Sequence, residues 1–298
     1  MNIYCRDNDL ILEGVLDFDI EDTLECGQCF HFARLAEKEY GLVAFGKYLH
    51  IRQCREGETS RENSFILYDT SMKDFNEIWK SYFDLDTDYG IIKESIIKAD
   101  ERLADVILKH SGIRILRQDF FETLISFIIS QNKQISHIKQ IVHMISEKYG
   151  QQILTKSGRT AYAFPTVEEL FDVSEEELRE CKVGFRAPYI RQAVCKVHER
   201  EIEGDMLKNM SFYEARERLM SIKGVGEKVV NCVLLFGLSF TSAFPVDVWM
   251  KRIMEEMYFH KDTKKDVIET FAVELFGKYA GYAQQYLFTY GRDMGIGK

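Results

Sequence analysis

The chain has 298 residues, enough for two or three hydrophobic cores, since single domains usually run to ~100–200 residues. Its 46% hydrophobic and 29% charged residues are ordinary for a soluble globular protein. No apolar run approaches the ~20 residues that cross a bilayer, and the N-terminus lacks the pattern of a secretory signal. Because the seven cysteines are odd in number and scattered, we expect a reduced, intracellular protein with no membrane partner.

The net charge of −9 argues mildly against a nucleic-acid partner, because phosphate neutralisation supplies much of the non-specific affinity for DNA. The acidity is confined to the N-terminal third. Residues 1–100 carry 21 acidic and 11 basic side chains, whereas residues 101–298 carry 27 acidic and 28 basic ones. A protein that contacts DNA through one small face can therefore still present a local basic patch.

Residues 1–90 alternate apolar and polar side chains between turn signals, which favours half-buried antiparallel strands. The predicted strand segments are LILEGVLDFDI (10–20), CGQCFHFARL (26–35), YGLVAF (40–45), KYLHIRQ (47–53) and SFILYD (64–69). From about residue 91 the apolar residues recur at three- and four-residue spacing, which predicts helices. These helical segments cover 91–112, 117–132, 134–149, 166–182 and 186–203. We therefore expect an α+β fold, with an antiparallel β domain over 1–105 and a larger all-α part over 106–298.

The segment 211–237 predicts two helices joined by a tight turn. Ser211 and Glu214 have the spacing of a capping box, so a helix should begin there and end at KGVGEK. The second helix, KVVNCVLLFGL, follows at once, and the loop 239–248 then leads through Asp247 to a further helix, VWMKRIMEEMY. A helix that begins directly after Gly-Val-Gly exposes several backbone amides, which suit a phosphate oxygen.

MSIKGVGEKVVNCVLLFGL and AFPVDVWMKRI together resemble the helix-hairpin-helix motif and the Gly/Pro…Asp loop of a DNA glycosylase superfamily. Further segments resemble 8-oxoguanine DNA glycosylase/AP lyases of the human type, in the family's order. They are CGQCFHF (26–32), RQDFFETLISFIISQN (117–132), VGFRAPYI (183–190) and GYAQQYLF (281–288). The resemblance spans most of the chain and implies a TBP-like β domain ahead of the helical part. It also implies a monomeric base-excision repair enzyme whose partner is double-stranded DNA containing 8-oxoguanine.

The resemblance makes Lys228 the nucleophile, which displaces the base at C1′, forms a Schiff base and permits β-elimination of the 3′ phosphate. A lysine nucleophile must be neutral, and both burial and a helix N-terminus disfavour the ammonium. From spacing alone, Lys228 is better explained as a solvated helix residue; the Asp loop at the family distance is what favours catalysis. Asp247 is expected to cap the next helix, and its charge near C1′ would stabilise an oxocarbenium-like transition state.

Five residues are expected to form the pocket for the damaged base. By resemblance, Cys232 and Phe288 contact the two faces of the flipped base, Gln284 meets its Watson–Crick edge and Pro245 lines the pocket. Gly27 is expected to point its carbonyl at N7, which carries a hydrogen in 8-oxoguanine but is an acceptor in guanine. Taken alone, Cys232, Gln284 and Phe288 are better explained by core packing or a solvated helix position, and Gly27 by an ordinary turn; their joint match favours the pocket.

Four residues match positions that act on the rest of the duplex. By resemblance, Asn132 fills the hole left by the flipped base, Phe185 wedges the stack and Arg186 bonds the orphaned cytosine. His137 stands where a second arginine is familiar, so we expect a relaxed preference for the base opposite the lesion. Phe185 itself replaces a familiar tyrosine, a minor departure.

The DNA phosphates are expected to meet Gly224, Val225 and Gly226 of the hairpin. Trp249 stands where a phosphate-binding histidine is familiar, which leaves that contact in doubt. The resemblance also implies a monovalent cation held by the hairpin carbonyls. No cysteine follows Cys232, which excludes the C-terminal iron–sulfur cluster of some relatives, and no residue cluster has the spacing of a catalytic metal site.

Two alternatives remain open from the sequence. One is a glycosylase of the same superfamily that removes alkylated bases with the aspartate and no lysine. The other is a non-enzymatic helix-hairpin-helix module that tethers another activity to DNA. The presence of both Lys228 and Asp247 favours the bifunctional enzyme over both alternatives. We expect it in the cytoplasm, or in the nucleus if the source is eukaryotic.

Overall fold

A computed structural model describes residues 1–55, 57–155, 158 and 160–296. The N-terminal sheet has six antiparallel strands in the spatial order β1-β2-β6-β5-β4-β3. Its strands are β1 (Asn2–Arg6), β2 (Asp9–Glu13), β3 (Phe32–Ala36), β4 (Glu39–Ala44), β5 (Lys47–Gln53) and β6 (Phe65–Tyr68). A separate two-stranded hairpin, β7 (Gln152–Leu154) and β8 (Thr160–Tyr162), lies within the helical part. No helix in the described ranges is long and apolar enough to cross a membrane.

The remaining described elements are helical, and the region from Tyr89 onward is dominated by them. The α-helices are Ile20–Leu24, Met72–Asp74, Lys80–Tyr82, Tyr89–Ala99, Ala104–Lys109, Phe120–Ser130, Ile135–Tyr149, Val167–Phe171, Glu175–Glu180, Ala187–His198, Gly204–Lys208, Phe212–Met220, Glu227–Cys232, Val248–Met254, Lys265–Phe276 and Ala280–Met294. Short 3-10 turns occur at Glu101–Leu103, Gly184–Arg186 and Gly277–Tyr279, and π-helical turns at Phe75–Trp79, Val233–Gly237 and Glu255–Phe259. This order confirms the predicted sheet followed by a larger helical part.

Two hydrophobic cores stabilise the fold. The smaller lies under the sheet, where Tyr40, Phe65 and Trp79 are almost fully buried. The larger joins the helices and already includes Ile92 and Ile96 of the helix Tyr89–Ala99. The domain boundary expected at residue 105 stays a prediction. The larger core already includes residues that precede this position, and a core and a domain boundary in the sequence need not coincide.

The structure corrects several details of the sequence prediction. The strand predicted over 26–35 begins only at Phe32, and the helix predicted over 91–112 is interrupted at Asp100, whose backbone is extended and whose side chain caps the next turn. Only the first part of 10–20 is a strand, because Asp19 accepts hydrogen bonds from the amides of Glu21 and Asp22 and starts the helix Ile20–Leu24. The predicted helix 166–182 is two helices, each with its own capping box, at Thr166 and at Ser174. A second serine or threonine cap inside a helical pattern restarts the chain, which the apolar spacing alone does not reveal.

Candidate active site

The hairpin forms as predicted. Ser211 and Glu214 make a reciprocal capping box at the first hairpin helix, Phe212–Met220. Gly224 has φ +82°, and a Cβ there would lie 2.3 Å from Cγ of Tyr189, so both conformation and space require glycine. Gly226 is the N-cap of the second hairpin helix, Glu227–Cys232, and provides no side-chain cap. Backbone amides at this helix start are therefore not occupied by a capping side chain.

Lys228 is the second residue of that helix and is half-buried. Its Nζ lies 3.0 Å from Oγ of Ser130, to which it donates a hydrogen bond, and 4.9 Å from the ring centre of Phe127. The Ser130 hydroxyl donates in turn to the carbonyl of Phe127, at 2.8 Å. No carboxylate of the described residues forms an ion pair with Lys228. The amine is therefore positioned by a neutral partner, an arrangement compatible with a nucleophile.

Asp247 is the N-cap of the helix Val248–Met254, as predicted. Its Oδ1 accepts a hydrogen bond from the amide of Met250 at 2.8 Å, which fixes the carboxylate at the helix start. Asp247 and Lys228 line the same cavity of about 120 Å³. A carboxylate and an amine therefore flank one small volume, although 19 positions separate them in the chain.

The same cavity contains every residue predicted for the base pocket: Gly27, Cys232, Pro245, Gln284 and Phe288. Gln284 and Phe288 lie one turn apart on the C-terminal helix, Ala280–Met294, so both can face one bound ring. Burial raises the pKa of Cys232 to about 11 and that of Cys26 to about 12. Both thiols thus stay protonated at neutral pH and contribute as small packing groups.

Gly27 lies in a turn after the helix Ile20–Leu24, with φ +85°. The turn is anchored by Gln28, which sequence reasoning missed. The Gln28 amide donates to the carbonyls of Thr23 and Arg114, at 2.8 and 2.7 Å, and accepts from the amide of Leu116 at 2.8 Å. A fully buried amide with these partners fixes the turn between sheet and helices.

Two of the four residues predicted to act on the rest of the duplex lie beside this cavity. Asn132 and His137 are exposed and line a cleft of about 740 Å³ that also reaches Lys228 and Asp247. Asn132 has φ +51°, a conformation that asparagine tolerates better than most residues. Lys133 and Lys265, which no sequence pattern singled out, line the same cleft.

Phe185 and Arg186 differ sharply in exposure. Phe185 is 57% exposed, as a wedge requires, whereas Arg186 is only 2% exposed. The Arg186 guanidinium stacks 4.3 Å from the Phe185 ring and donates to the carbonyls of Val183 and Gln131. Arg186 therefore packs against Phe185, the predicted wedge. Its contact with the orphaned base stays a prediction.

Trp249 follows Asp247 by two residues, is 37% exposed and is absent from the lining of both the cavity and the cleft.

A helix-hairpin-helix with a lysine at the second helix and a helix-capping aspartate across one cavity defines a DNA glycosylase of the helix-hairpin-helix class. Two family models match the chain. Residues 11–124 match the N-terminal domain of 8-oxoguanine DNA glycosylase, and residues 125–278 match the HhH-GPD superfamily of base excision DNA repair proteins. The chain belongs to this superfamily and, within it, to the N-glycosylase/DNA lyases.

Three relatives illustrate the similarity. A probable N-glycosylase/DNA lyase of Methanothermobacter thermautotrophicus is 31% identical over 94% of this chain and 95% of its own. The N-glycosylase/DNA lyase OGG1 of Arabidopsis thaliana is 30% identical over 89% and 75%. The Clostridium acetobutylicum 8-oxoguanine glycosylase/lyase, solved with double-stranded DNA containing cytosine opposite 8-oxoguanine, is 38% identical, with a TM-score of 0.92 over 99% of both chains.

Proposed function

We propose that this protein removes 8-oxoguanine from double-stranded DNA and then cleaves the strand at the resulting abasic site. One observation carries the proposal: the cavity that holds Lys228 and Asp247 is also lined by Gly27, Gln284 and Phe288. The reacting groups and the predicted base-reading groups therefore share one volume. Only an extruded nucleotide places both its base and its C1′ in such a site.

The proposed chemistry depends on Lys228 and Asp247. The neutral amine of Lys228 attacks C1′, the C1′–N9 bond breaks, and its electron pair leaves with the base, which takes up a proton. The lysine nitrogen gives up one proton and forms a C=N bond to C1′ as the C1′–O4′ bond breaks and O4′ takes up a proton, which leaves a protonated Schiff base on the open sugar. Loss of a proton from C2′ then expels the 3′ phosphate by β-elimination. Asp247, held in place by the hydrogen bond from the Met250 amide, stabilises the positive charge that develops at C1′.

The residues that line the cavity determine which damaged base is accepted. Cys232 and Phe288 contact opposite faces of the base, Pro245 closes one side, and Gln284 bonds the Watson–Crick edge. The Gly27 carbonyl accepts from N7–H of 8-oxoguanine and repels the lone pair of guanine. The positive φ of Gly27 supports this role, since it aims a backbone group where a side-chain-bearing residue would be strained.

The surrounding surface supports duplex binding. Asn132 occupies the gap in the duplex, Phe185 wedges the stack, and Arg186 and His137 lie nearest the orphaned base. The amides of Gly224, Val225 and Gly226 bind a phosphate, and Trp249 contacts the backbone of the bound DNA. Carbonyl oxygens of the hairpin, which are hard neutral donors, bind a monovalent cation in this proposal.

We also propose that the protein acts as a monomer in the compartment that holds the genome. That compartment is the cytoplasm of a prokaryote or the nucleus of a eukaryote. One monomer suffices because Lys228 and Asp247 come from the same chain and line one cavity.

The decisive experiment offers duplexes with 8-oxoguanine opposite each of the four bases to the protein and to Lys228→Gln. We expect strand cleavage and borohydride-trapped covalent complex with the natural protein, and neither with the variant. Unaltered activity in Lys228→Gln would overturn the mechanism. Excision of alkylated bases without trapping would favour the alkylated-base alternative, and binding without any excision would favour a tethering module.

A further inference from the structure

The cleft beside the base cavity is rich in positive charge, although the chain as a whole has a net charge of −9. Among the described residues that line this cleft are three lysines, Lys133, Lys228 and Lys265, and one carboxylate, Asp247. Lys228 and Asp247 are the reacting pair of the proposed mechanism. Lys133 and Lys265 therefore give the cleft an excess of positive charge that the mechanism does not use.

Neither of these two lysines is neutralised within the protein. In the part of the chain that the structure describes, neither Lys133 nor Lys265 forms an ion pair with a carboxylate. Glu269 lies one turn after Lys265 on the same helix, but it is paired with Arg216 instead. Lys133 is half-buried and Lys265 is exposed. Both ammonium groups are therefore available to an anion that enters the cleft.

The two lysines also line different neighbouring cavities. Lys133, in the turn after the helix Phe120–Ser130, lines the base cavity itself. Lys265, the first residue of the helix Lys265–Phe276, lines a cavity of about 270 Å³ that includes Gly226 of the hairpin. One lysine thus lies where the cleft meets the base cavity, and the other lies on the hairpin side of the cleft.

We propose that Lys133 and Lys265 bind the two phosphates that flank the extruded nucleotide, Lys133 on the side of the base cavity and Lys265 on the side of the hairpin. The inference rests on the proposed function and adds two backbone-binding residues to it. A nucleotide whose base occupies the cavity leaves its phosphates in the adjoining cleft, because the strand on either side continues into the duplex. An ammonium group binds phosphate as a point charge and needs no fixed orientation, which suits a lysine at each position.

The first test measures the salt dependence of binding. The probe is a duplex that carries an 8-oxoguanine nucleotide with a 2′-fluorine substituent, which resists cleavage of the C1′–N9 bond. Each phosphate that a protein cation neutralises contributes about 0.9 to the slope of log Kd against log salt concentration. We expect Lys133→Met and Lys265→Met each to lower this slope by about one and to weaken binding about tenfold.

Lys98→Met is the matched control, because it removes the same charge from an exposed lysine that lines neither the cavities nor the cleft. It should keep the natural slope. Lys133→Arg and Lys265→Arg retain the charge and should restore most of the affinity. Slopes that are equal in Lys133→Met, Lys265→Met and Lys98→Met would overturn the inference.

The second test identifies the phosphates. A neutral methylphosphonate replaces, one at a time, the phosphate 5′ and the phosphate 3′ to the lesion, and the natural protein should bind each modified duplex about tenfold more weakly. The effect of one replacement should largely disappear in Lys133→Met, and the effect of the other should shrink in Lys265→Met. Effects that persist at both phosphates in both variants, or that shrink at the same phosphate in both, would overturn the inference.

Excision at saturating protein separates binding from chemistry. Both methionine variants should then remove 8-oxoguanine at nearly the natural rate, because Lys228 and Asp247 are unchanged. A large loss of that rate with natural affinity would overturn the phosphate-binding role. Failure of the natural protein to excise 8-oxoguanine would instead contradict the proposed function itself.

Discussion

Lys228 Nζ and Ser130 Oγ lie 3.0 Å apart, although 98 residues separate them along the chain. Ser130 is the last residue of the helix Phe120–Ser130, and Lys228 is near the start of the second hairpin helix. The serine hydroxyl uses its own hydrogen on the Phe127 carbonyl, so its oxygen is left to accept from the amine. The end of one helix thus positions Lys228, the proposed nucleophile, at the start of another.

Removing this contact should slow the chemical step. We expect Ser130→Ala to lower the single-turnover excision rate about fivefold, the effect of one hydrogen bond of ~1 kcal/mol. Ser126→Ala, a buried serine one turn earlier on the same helix, is the control and should retain the natural rate. Equal rates for the two variants would show that Ser130 does not position the lysine.

Asp247 has an observed structural role and a proposed chemical role, and one substitution separates the two. In Asp247→Asn the side-chain oxygen still accepts from the Met250 amide, so the helix cap and the thermal stability should persist. The charge is lost, and we expect excision to fall about 10²–10³-fold. Asp247→Ala should in addition lose ~1 kcal/mol of stability. Calorimetry together with excision assays distinguishes the two effects, and an active Asp247→Asn enzyme would contradict the electrostatic role.

The preference for the base opposite the lesion should be weak, because His137 offers a shorter donor than arginine. We expect excision opposite adenine, guanine or thymine to be within about 100-fold of that opposite cytosine, a limit of about 2.7 kcal/mol. His137→Arg should strengthen the cytosine preference by about tenfold. A natural protein that discriminates more than 100-fold would contradict this reading of His137.

Two hairpin glycines should respond differently to alanine. Gly224→Ala combines a left-handed backbone with a Cβ 2.3 Å from the Tyr189 ring, so it should lower the free energy of unfolding by more than about 1 kcal/mol. At Gly226 the backbone is extended and no atom lies within 4 Å of the added Cβ. Gly226→Ala should therefore cost less, roughly the few tenths to 1 kcal/mol of a weaker N-cap. Denaturant unfolding of both variants checks which substitution lowers the free energy of unfolding more.

The cavity thiols should resist alkylation. Because burial raises the pKa of Cys232 to about 11, only about one molecule in a thousand carries its reactive thiolate at pH 8. The pKa of Cys26, at about 12, leaves still less thiolate. Iodoacetamide at pH 8 should label the exposed Cys5 first, with reactivity at Cys232 appearing only as the pH approaches 11. Mass spectrometry of the labelled peptides measures the order of labelling. Labelling of Cys232 before Cys5 would contradict the prediction.

Local chemistry was predictable where it depends on neighbours in sequence. The capping box at Ser211, the cap at Asp247 and the strand Lys47–Gln53 follow from short patterns, and the structure has them where expected. Contacts across long separations were not. Spacing carries no signal for the contact between Ser130 and Lys228, because it forms only when helices distant in sequence pack together.

The buried Gln28 amide joins the turn that carries Gly27 to residues 114–116, ahead of the helix Phe120–Ser130. The group proposed to recognise damage and the group proposed to break the bond are about 200 positions apart and belong to different elements of the fold. Substrate choice can consequently drift by remodelling one N-terminal turn while the cleavage apparatus stays intact. This separation allows one catalytic domain to evolve specificity for different damaged bases.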